Sequence, residues 1–143
     1  IGPKQKYDDP YRNVVSIMIN LMLQKRRPII YGDGKQTRSF LYIDECLEAV
    51  RRLMDSDCLD PVNIGSEEMV SINKLAEMAM DIAGNKQSIK HIPDPLGVRG
   101  RNSDNTLIKK KLGWAPSESL YDGLQKTYVW ITDQVELKNS IKA

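Results

Sequence analysis

Arginine is the residue in this sequence whose type and spacing point most clearly to chemistry. Arg38 follows the turn Gly32-Asp33-Gly34, Arg99 and Arg101 lie two residues apart in a loop-like stretch, and Arg12 precedes the first predicted helix. A planar guanidinium can bind a phosphate through two parallel hydrogen bonds, so several fixed arginines suit a diphosphate without a metal ion. Spacing alone does not show that these side chains converge, and it favours the ordinary alternative for Arg38, a solvated arginine on a strand.

The stretch around Arg38 is predicted to form a strand, a tight turn and a second strand. The residues Ile29-Ile30-Tyr31 are apolar or aromatic, and the Gly-Asp-Gly turn suits backbone positions with positive φ. The residues from Arg38 to Ile43 again suit a pleated strand. We therefore expect a hairpin that holds Arg38 on a rigid support, from which its guanidinium could project into a cleft.

The rest of the chain alternates predicted helices and strands, which indicates the α/β class. Helices are predicted over 13–24, 44–55, 72–83, 104–112 and 120–137, and short strands over 61–65 and 88–92, whereas 3–10 and 93–103 are predicted loops. Asp44, Ser71 and Asp104 are the expected N-caps, and Gly84 and Gly113 the expected helix ends.

Three of these helices carry apolar residues at helical spacing, so each is expected to bury one face. The predicted buried residues are Val14, Val15, Ile17, Met18, Leu21 and Met22 in the first helix; Cys46, Leu47, Val50, Leu53 and Met54 in the second; and Leu124, Tyr128, Ile131 and Val135 in the last.

Composition excludes several classes of function. The 143 residues carry a net charge of only +2, which gives no footprint for nucleic acid or for an anionic membrane, and no apolar run could span a bilayer. Two cysteines are too few for a disulfide framework, which suits a reducing cytoplasm. His91 has no second ligand or nucleophile near it in sequence, so a structural role is favoured over catalysis.

The beginning of the sequence is unusual. Ile1-Gly2-Pro3 reads like the end of a buried strand that enters a turn, and no initiator methionine precedes it. We take as a hypothesis that the chain is a fragment whose N-terminal partner is missing. A natural gene product that starts at Ile1, detected by intact-mass analysis, would contradict this.

Several motifs carry a resemblance to a known superfamily. Gly32-Asp33-Gly34-x-Gln36-Thr37-Arg38-Ser39-Phe40-x-x-Ile43-Asp44 resembles the substrate-domain signature of extended short-chain dehydrogenase/reductase nucleotide-sugar enzymes. Asn63-Ile64-Gly65-Ser66 and Leu112-Gly113-Trp114-x-Pro116 are similar to further motifs of that superfamily, in the same order. The stretch from Gly97 to Asn105 most resembles the GDP-mannose 3,5-epimerase family, whereas residues 1–15 look more like UDP-sugar 4-epimerases and UDP-glucuronate decarboxylases.

The resemblance implies that residues 1–143 are the C-terminal, nucleotide-sugar-binding portion of a Rossmann-type enzyme whose N-terminal domain holds NAD and is absent from this chain. It implies that Arg38 binds the diphosphate with help from Arg99 or Arg101, between which it does not choose. Arg12 and Asn13 would reach the nucleotide or the sugar, and Ile30 and Tyr31 would lie near the nucleobase. It further implies a homodimer for the full-length enzyme, with no nucleic-acid or membrane partner.

The family's reaction is a transient hydride transfer, in which NAD oxidises a sugar carbon and the hydride later returns. The tyrosine–lysine pair and the Gly-rich dinucleotide loop of such enzymes are not found here; Tyr42, for example, is followed four residues later by Cys46. We therefore assign no catalytic, cofactor-binding or metal-binding residue, and we expect the chain alone to be inactive.

Two alternatives stay open. The parent enzyme could be a UDP-sugar 4-epimerase, a 4,6-dehydratase or a decarboxylase of the same superfamily, because residues upstream decide the reaction. The chain could instead be a non-catalytic interaction or dimerisation module. The lack of catalytic groups favours this alternative, whereas the arginines at positions that match the family's motifs argue against it.

Overall fold

The computed structural model describes residues 1–93 and 98–142 and has the predicted α/β architecture of helices with a few short strands. The helices are α1 (Val14–Leu23), α2 (Ile43–Met54), α3 (Ile72–Ile82), α4 (Thr106–Leu112) and α5 (Leu120–Lys142). The strands are β1 (Ile29–Tyr31), β2 (Thr37–Arg38), β3 (Val70–Ser71), β4 (Lys90–Ile92) and β5 (Gly100–Arg101). Across the described residues, no helix combines the length and the apolar character that crossing a bilayer requires.

The core lies between α1, α3 and α5. Their inward faces meet because small residues on α3, Ala76 and Ala79, let the larger side chains of the other two helices come close. The fully buried side chains include Val15, Met18, Ile19, Leu75, Leu124 and Ile131. The predicted apolar faces of α1 and α5 are therefore confirmed, with Tyr128 and Val135 packed against the core as partly buried residues.

The predicted hairpin is wrong, because β1 and β2 belong to different sheets. β1 pairs in parallel with β4, while β2 lies between β3 and β5, antiparallel to the first and parallel to the second. The turn bonds to α3 and not back to β1: the Asn73 amide donates to the Gly34 carbonyl at 3.0 Å, and the Ile72 amide donates to the Gln36 carbonyl at 3.1 Å. The carbonyls of Gly34 and Gln36, which could have bonded to β1 in a hairpin, are therefore bonded to the start of α3. The second strand is also shorter than predicted and ends at Arg38.

Helix α2 forms nearly where predicted, but its cap and its buried face are not as expected. The helix starts at Ile43 after Tyr42, and Asp44 lies in the first turn, where a carboxylate favours the positive end of the helix dipole. Within α2 just one residue, Ala49, is buried, whereas Leu47 is 61% and Met54 80% exposed. The apolar face is exposed because no described element packs on it.

The predicted strand over 61–65 does not form. The segment is extended in sequence character, but no strand in the described part of the chain pairs with it. A strand needs a neighbour for its backbone N–H and C=O groups, and β-propensity alone cannot supply one.

The ends of α3 and α4 largely follow the sequence. Ser71 caps α3, with its Oγ accepting from the Lys74 amide at 3.1 Å, and Gly113 ends α4 in the left-handed conformation. Asp104 does not occupy the N-cap position of α4, which falls to Asn105, but its carboxylate accepts from the Thr106 amide at 2.9 Å. Helix α5 continues to Lys142, beyond the predicted end at 137.

Candidate functional site

Strands β2 and β5 bring two of the predicted arginines together. Arg38 and Arg101 are register partners in the parallel pair, and Thr37 is the partner of Gly100. The Thr37 amide also donates to the Arg99 carbonyl at 2.8 Å, which extends the connection by one residue. Two positions that are 63 apart in sequence thus come side by side on one sheet.

Both arginines line one open cavity of about 390 Å³. Its other described lining residues supply hydroxyl, amide and backbone groups, and none of them is acidic; the complete set is Arg38, Ser39, Leu41, Asn63, Ile64, Gly65, Ser66, Arg101, Asn102 and Ser103. Two guanidinium groups surrounded by neutral hydrogen-bond donors form a suitable environment for a multiply charged anion. This cavity is the candidate functional site.

The Arg38 side chain is partly buried and held near the strand. Its Nη1 donates to the Thr37 carbonyl at 2.7 Å. A guanidinium has five N–H donors, so this one bond leaves most of the fork available for a ligand. Arg101, by contrast, is exposed at the rim.

Close packing of two loops shapes part of the cavity wall. A Cβ placed on Gly65 would lie 2.5 Å from the Cβ and 2.8 Å from the Oγ of Ser103, so no larger residue fits there without moving the Ser103 loop. The two loops are joined by Asn105, which is 1% exposed. Its Nδ2 donates to the Gly65 carbonyl at 2.7 Å, and its Oδ1 accepts from the Ser103 hydroxyl at 2.9 Å.

The remaining predicted site residues do not line this cavity. Arg99 is exposed and contributes its carbonyl, not a described side-chain contact. Arg12 forms an ion pair with Asp9 at 3.2 Å in the N-terminal loop. Asn13 caps α1, with its Oδ1 accepting from the Val15 amide at 3.0 Å.

Ile30 and Tyr31 lie on β1, in the other sheet. Ile30 is 2% exposed and contributes to the core, whereas Tyr31 is 61% exposed and its carbonyl accepts from Gln36 Nε2 at 3.3 Å. Neither lines the arginine cavity, and their assignment to a nucleobase stays a prediction.

Choosing candidate residues by their charge did not identify the neutral hydrogen-bond donors of the cavity. Ser39, Ser66, Asn102, Ser103 and the joining residue Asn105 carry no charge that would single them out. The available signal was the presence of small polar residues in both segments, at Asn63 and Ser66 and at Asn102 and Ser103. That signal does not reveal which two segments face each other.

Histidine and cysteine, two side chains often used in catalysis, do not line the arginine cavity. His91 contacts Asn73, with 2.9 Å between Nε2 and Oδ1, which fits a structural role, and Cys46 and Cys58 are both free. Within 1–93 and 98–142, no cluster of His, Cys, Asp and Glu could hold a metal ion. The residues present also do not fit NAD, because the Gly32–Gly34 turn precedes a strand and not the helix N-terminus that a dinucleotide phosphate requires.

Comparison with known proteins places this fold among nucleotide-sugar enzymes. A family profile described as GDP-mannose 4,6 dehydratase matches residues 1–127. The chain is 61% identical over 107 residues to GDP-mannose 3,5-epimerase of Arabidopsis thaliana, a match covering 75% of this chain and 28% of that protein.

Two solved structures share the fold. UDP-glucose 4-epimerase of Thermotoga maritima, crystallised with UDP-glucose, has a TM-score of 0.85 and 32% identity over 94% of this chain and 44% of its own. UDP-glucuronic acid 4-epimerase of Bacillus cereus, in complex with UDP-glucuronic acid and NAD, has a TM-score of 0.83 and 28% identity over 94% of this chain and 43% of its own. The chain thus spans less than half of either structure and about a quarter of the plant epimerase. It belongs to the GDP-mannose 4,6 dehydratase family, within the extended short-chain dehydrogenase/reductases that act on nucleotide sugars.

Proposed function

We propose that this chain is the substrate-binding portion of an NAD-dependent nucleotide-sugar enzyme, and that the cavity between β2 and β5 holds the diphosphate of the substrate. The observation that carries the proposal is the pairing of Arg38 with Arg101 at one cavity without a described carboxylate. A diphosphate carries charge on both phosphoryl groups, and two guanidinium groups can each bind one of them. Hydroxyl and amide donors from Ser39, Ser66 and Asn102 would complete the contacts.

The proposed reaction of the parent enzyme is that of a GDP-mannose 3,5-epimerase, with transient oxidation of the sugar by NAD. Its support is the 61% identity to the plant epimerase, which covers three quarters of the chain. We propose that NAD is held by a further domain of the parent protein, that the parent is a cytoplasmic homodimer, and that the 143 residues alone bind substrate without converting it.

A UDP-sugar 4-epimerase is the alternative reaction. It is favoured by the two solved structures, whose printed ligands are UDP-glucose and UDP-glucuronic acid and whose folds agree with nearly the whole chain. The two candidates differ in the nucleotide as well as in the sugar, so a binding measurement can separate them.

Calorimetric titration of the chain with GDP-mannose, UDP-glucose and UDP-glucuronic acid tests the proposal. Arg38→Ala should weaken binding by roughly tenfold to a hundredfold, because a hydrogen bond to a charged group contributes about 1.5–3 kcal/mol. Arg38→Lys should restore only part of the affinity, since an ammonium lacks the planar fork.

Arg26→Ala is the matched control. Arg26 lies outside the cavity, with its Nη1 donating to Gln24 Oε1 at 3.2 Å. The substitution therefore removes the same net charge as Arg38→Ala and leaves the cavity lining unchanged. Equal effects of Arg38→Ala and Arg26→Ala, or a folded chain that binds none of the three ligands, would contradict the proposal and favour a non-catalytic module. Turnover of GDP-mannose by the chain with added NAD would contradict its inactivity.

A further inference from the structure

The turn that precedes β2 is bound to the start of helix α3. The first amides of a helix have no acceptor within the helix itself. In α3 the Ile72 amide donates to the Gln36 carbonyl, and the Asn73 amide donates to the Gly34 carbonyl. The turn therefore supplies acceptors that the helix lacks, and the two segments stabilise each other.

The side chain of Asn73 holds the same turn. Its Nδ2 donates to the Asp33 carbonyl at 3.0 Å. Gly34 has a φ of +71°, and a Cβ at this position would overlap Asn73 Oδ1. Both the backbone conformation and the available space therefore require glycine at position 34. The glycine allows the turn to approach the Asn73 side chain closely.

His91 fixes the orientation of the Asn73 side chain from a different sheet. His91 Nε2 lies 2.9 Å from Asn73 Oδ1. An amide oxygen can only accept, so Nε2 carries the hydrogen and donates it. His91 lies on β4, which pairs with β1, whereas Asn73 follows β3, which pairs with β2. This bond, which we call the Asn73–His91 link, therefore connects the β1–β4 sheet to the β3–β2–β5 sheet.

The two connected sheets carry different parts of the proposed nucleotide site. Arg38 and Arg101 lie in the β3–β2–β5 sheet and line the arginine cavity. Strand β1 ends at Tyr31, whose side chain is exposed, and an exposed aromatic ring can stack on a nucleobase. A nucleotide that reaches from the cavity to this ring contacts both sheets. Its affinity then depends on how far apart the sheets are held.

We propose that Asn73 and His91 are positioning residues, which set the spacing between the diphosphate cavity and the nucleobase end of the site. The inference rests on the proposed function, since it takes the ligand to be a nucleoside diphosphate or its sugar. Neither side chain lines the cavity, so both act through the turn and the strands. The link lies at the surface and outside the hydrophobic core, so its loss should leave the chain folded.

The test compares a ligand that spans both sheets with one that fills the cavity alone. The full chain is titrated with GDP, UDP and inorganic diphosphate, and binding is followed by NMR, which also detects weak complexes. His91→Ala should weaken binding of the preferred nucleotide by about threefold to tenfold, the effect of losing one neutral hydrogen bond. It should leave the affinity for inorganic diphosphate unchanged, because the cavity includes no residue of β1 or β4. A loss of general stability would instead lower both affinities alike.

Conservative and control variants make the result specific. His91→Gln should restore the affinity for the nucleotide, because its side-chain amide can donate to Asn73 Oδ1. In an Asn73→Ala background, His91→Ala should have no further effect, since the two residues act through one bond. Tyr121→Phe is the matched control. It removes another exposed bond, from Tyr121 Oη to Asp81 Oδ2 at 2.8 Å, and should leave both affinities unchanged.

Failure of the proposed function and failure of the positioning role give different results. If the wild-type chain binds none of the ligands, or if Arg38→Ala weakens none of them, the proposed function fails and the positioning role fails with it. If Arg38→Ala weakens all of them but His91→Ala spares the nucleotide, or weakens nucleotide and inorganic diphosphate equally, only the positioning role is overturned. A neutral His91 with its hydrogen on Nδ1, detected through the imidazole nitrogen shifts, would also overturn it.

Discussion

Asn105 is buried and does not line the cavity, yet it helps to determine the shape of the candidate site. Asn105 joins the Gly65 loop to the Ser103 loop through two side-chain hydrogen bonds, and its own amide donates to Glu67 Oε1 at 3.2 Å. Both loops line the cavity, and the two bonds from Asn105 hold them at their present separation. Asn105 is therefore a positioning residue for the site.

Asn105→Ala should weaken nucleotide-sugar binding about tenfold although Arg38 and Arg101 stay in place. The substitution leaves the buried Gly65 carbonyl without its donor, which costs about 1–3 kcal/mol and loosens the loop. Calorimetric titration gives the affinity, and urea unfolding gives the stability.

Asn20→Ala is the control for that measurement. Asn20 also joins two backbone carbonyls, donating to Tyr7 at 2.6 Å and to Ser16 at 2.9 Å, but it lies on α1 and does not line the cavity. It should lower stability and leave the affinity unchanged. Equal losses of affinity in the two variants would show that Asn105 acts through general stability and not through the site.

At the scale of elements, α2 and α3 begin in physically different ways. Ser71 caps α3 with its side chain, whereas Tyr42 precedes α2 without any side-chain cap and leaves Asp44 to act through charge alone. A side-chain cap satisfies an amide that the helix itself cannot, while a first-turn carboxylate only improves the electrostatic energy.

Ser71→Ala should therefore lower the free energy of unfolding by about 1 kcal/mol, and Asp44→Ala by less, about 0.5 kcal/mol, at low ionic strength. The effect of Asp44→Ala should shrink as salt is added, because the interaction of an exposed charge with the helix end is screened. Urea unfolding at low and at high salt measures both. A larger, salt-independent loss for Asp44→Ala would show that Asp44 is a cap after all.

At the scale of the whole molecule, the sequence predicts local structure well and pairing poorly. Ser71, Gly84 and Gly113 mark helix ends through chemistry that acts within a few residues, and these predictions are confirmed. The hairpin fails because the partners of β1 and β2 lie dozens of residues away, where no local pattern can identify them.

The same limit applies to the candidate site and to the exposed apolar side of α2. Arg38 and Arg101 could be chosen as candidates because both are arginines. Their proximity, however, depends on the parallel register of β2 and β5, which the sequence around the Gly32–Gly34 turn does not indicate. The pattern of Leu47, Val50 and Met54 correctly predicts an amphipathic helix, yet periodicity cannot say whether the apolar side has a partner within the described chain. Neutral donors such as Ser66 are found only once the cavity is seen.

The first and last parts of the chain are joined across the fold. The ring of Tyr7 packs edge-on against Trp130 with centroids 5.7 Å apart, and the Asp8 carboxylate lies 3.3 Å from Lys138 Nζ on α5. Hydrogen bonds from Lys6 first, and then from Lys138, lower the pKa of Asp8 to about 2. A lowered pKa means that the folded state favours the ionised carboxylate, so this stabilisation is present above the model-compound value of 3.8 and is lost as the pH falls through about 2.

Lys138→Met tests this connection. It should raise the pKa of Asp8 toward 3.8, and Lys6→Met should raise it further because the Lys6 hydrogen bond has the larger effect. The carboxyl carbon shift of Asp8 followed by NMR between pH 1.5 and 6 would measure both, at roughly 10 mM salt so that these exposed charges are not screened. Lys138→Met should also speed amide exchange in the N-terminal loop, since one of its two described contacts with α5 is lost. If Lys138→Met left the pKa of Asp8 near 2, Lys6 alone would account for the shift, and Tyr7 with Trp130 would be the contact that holds the loop to α5.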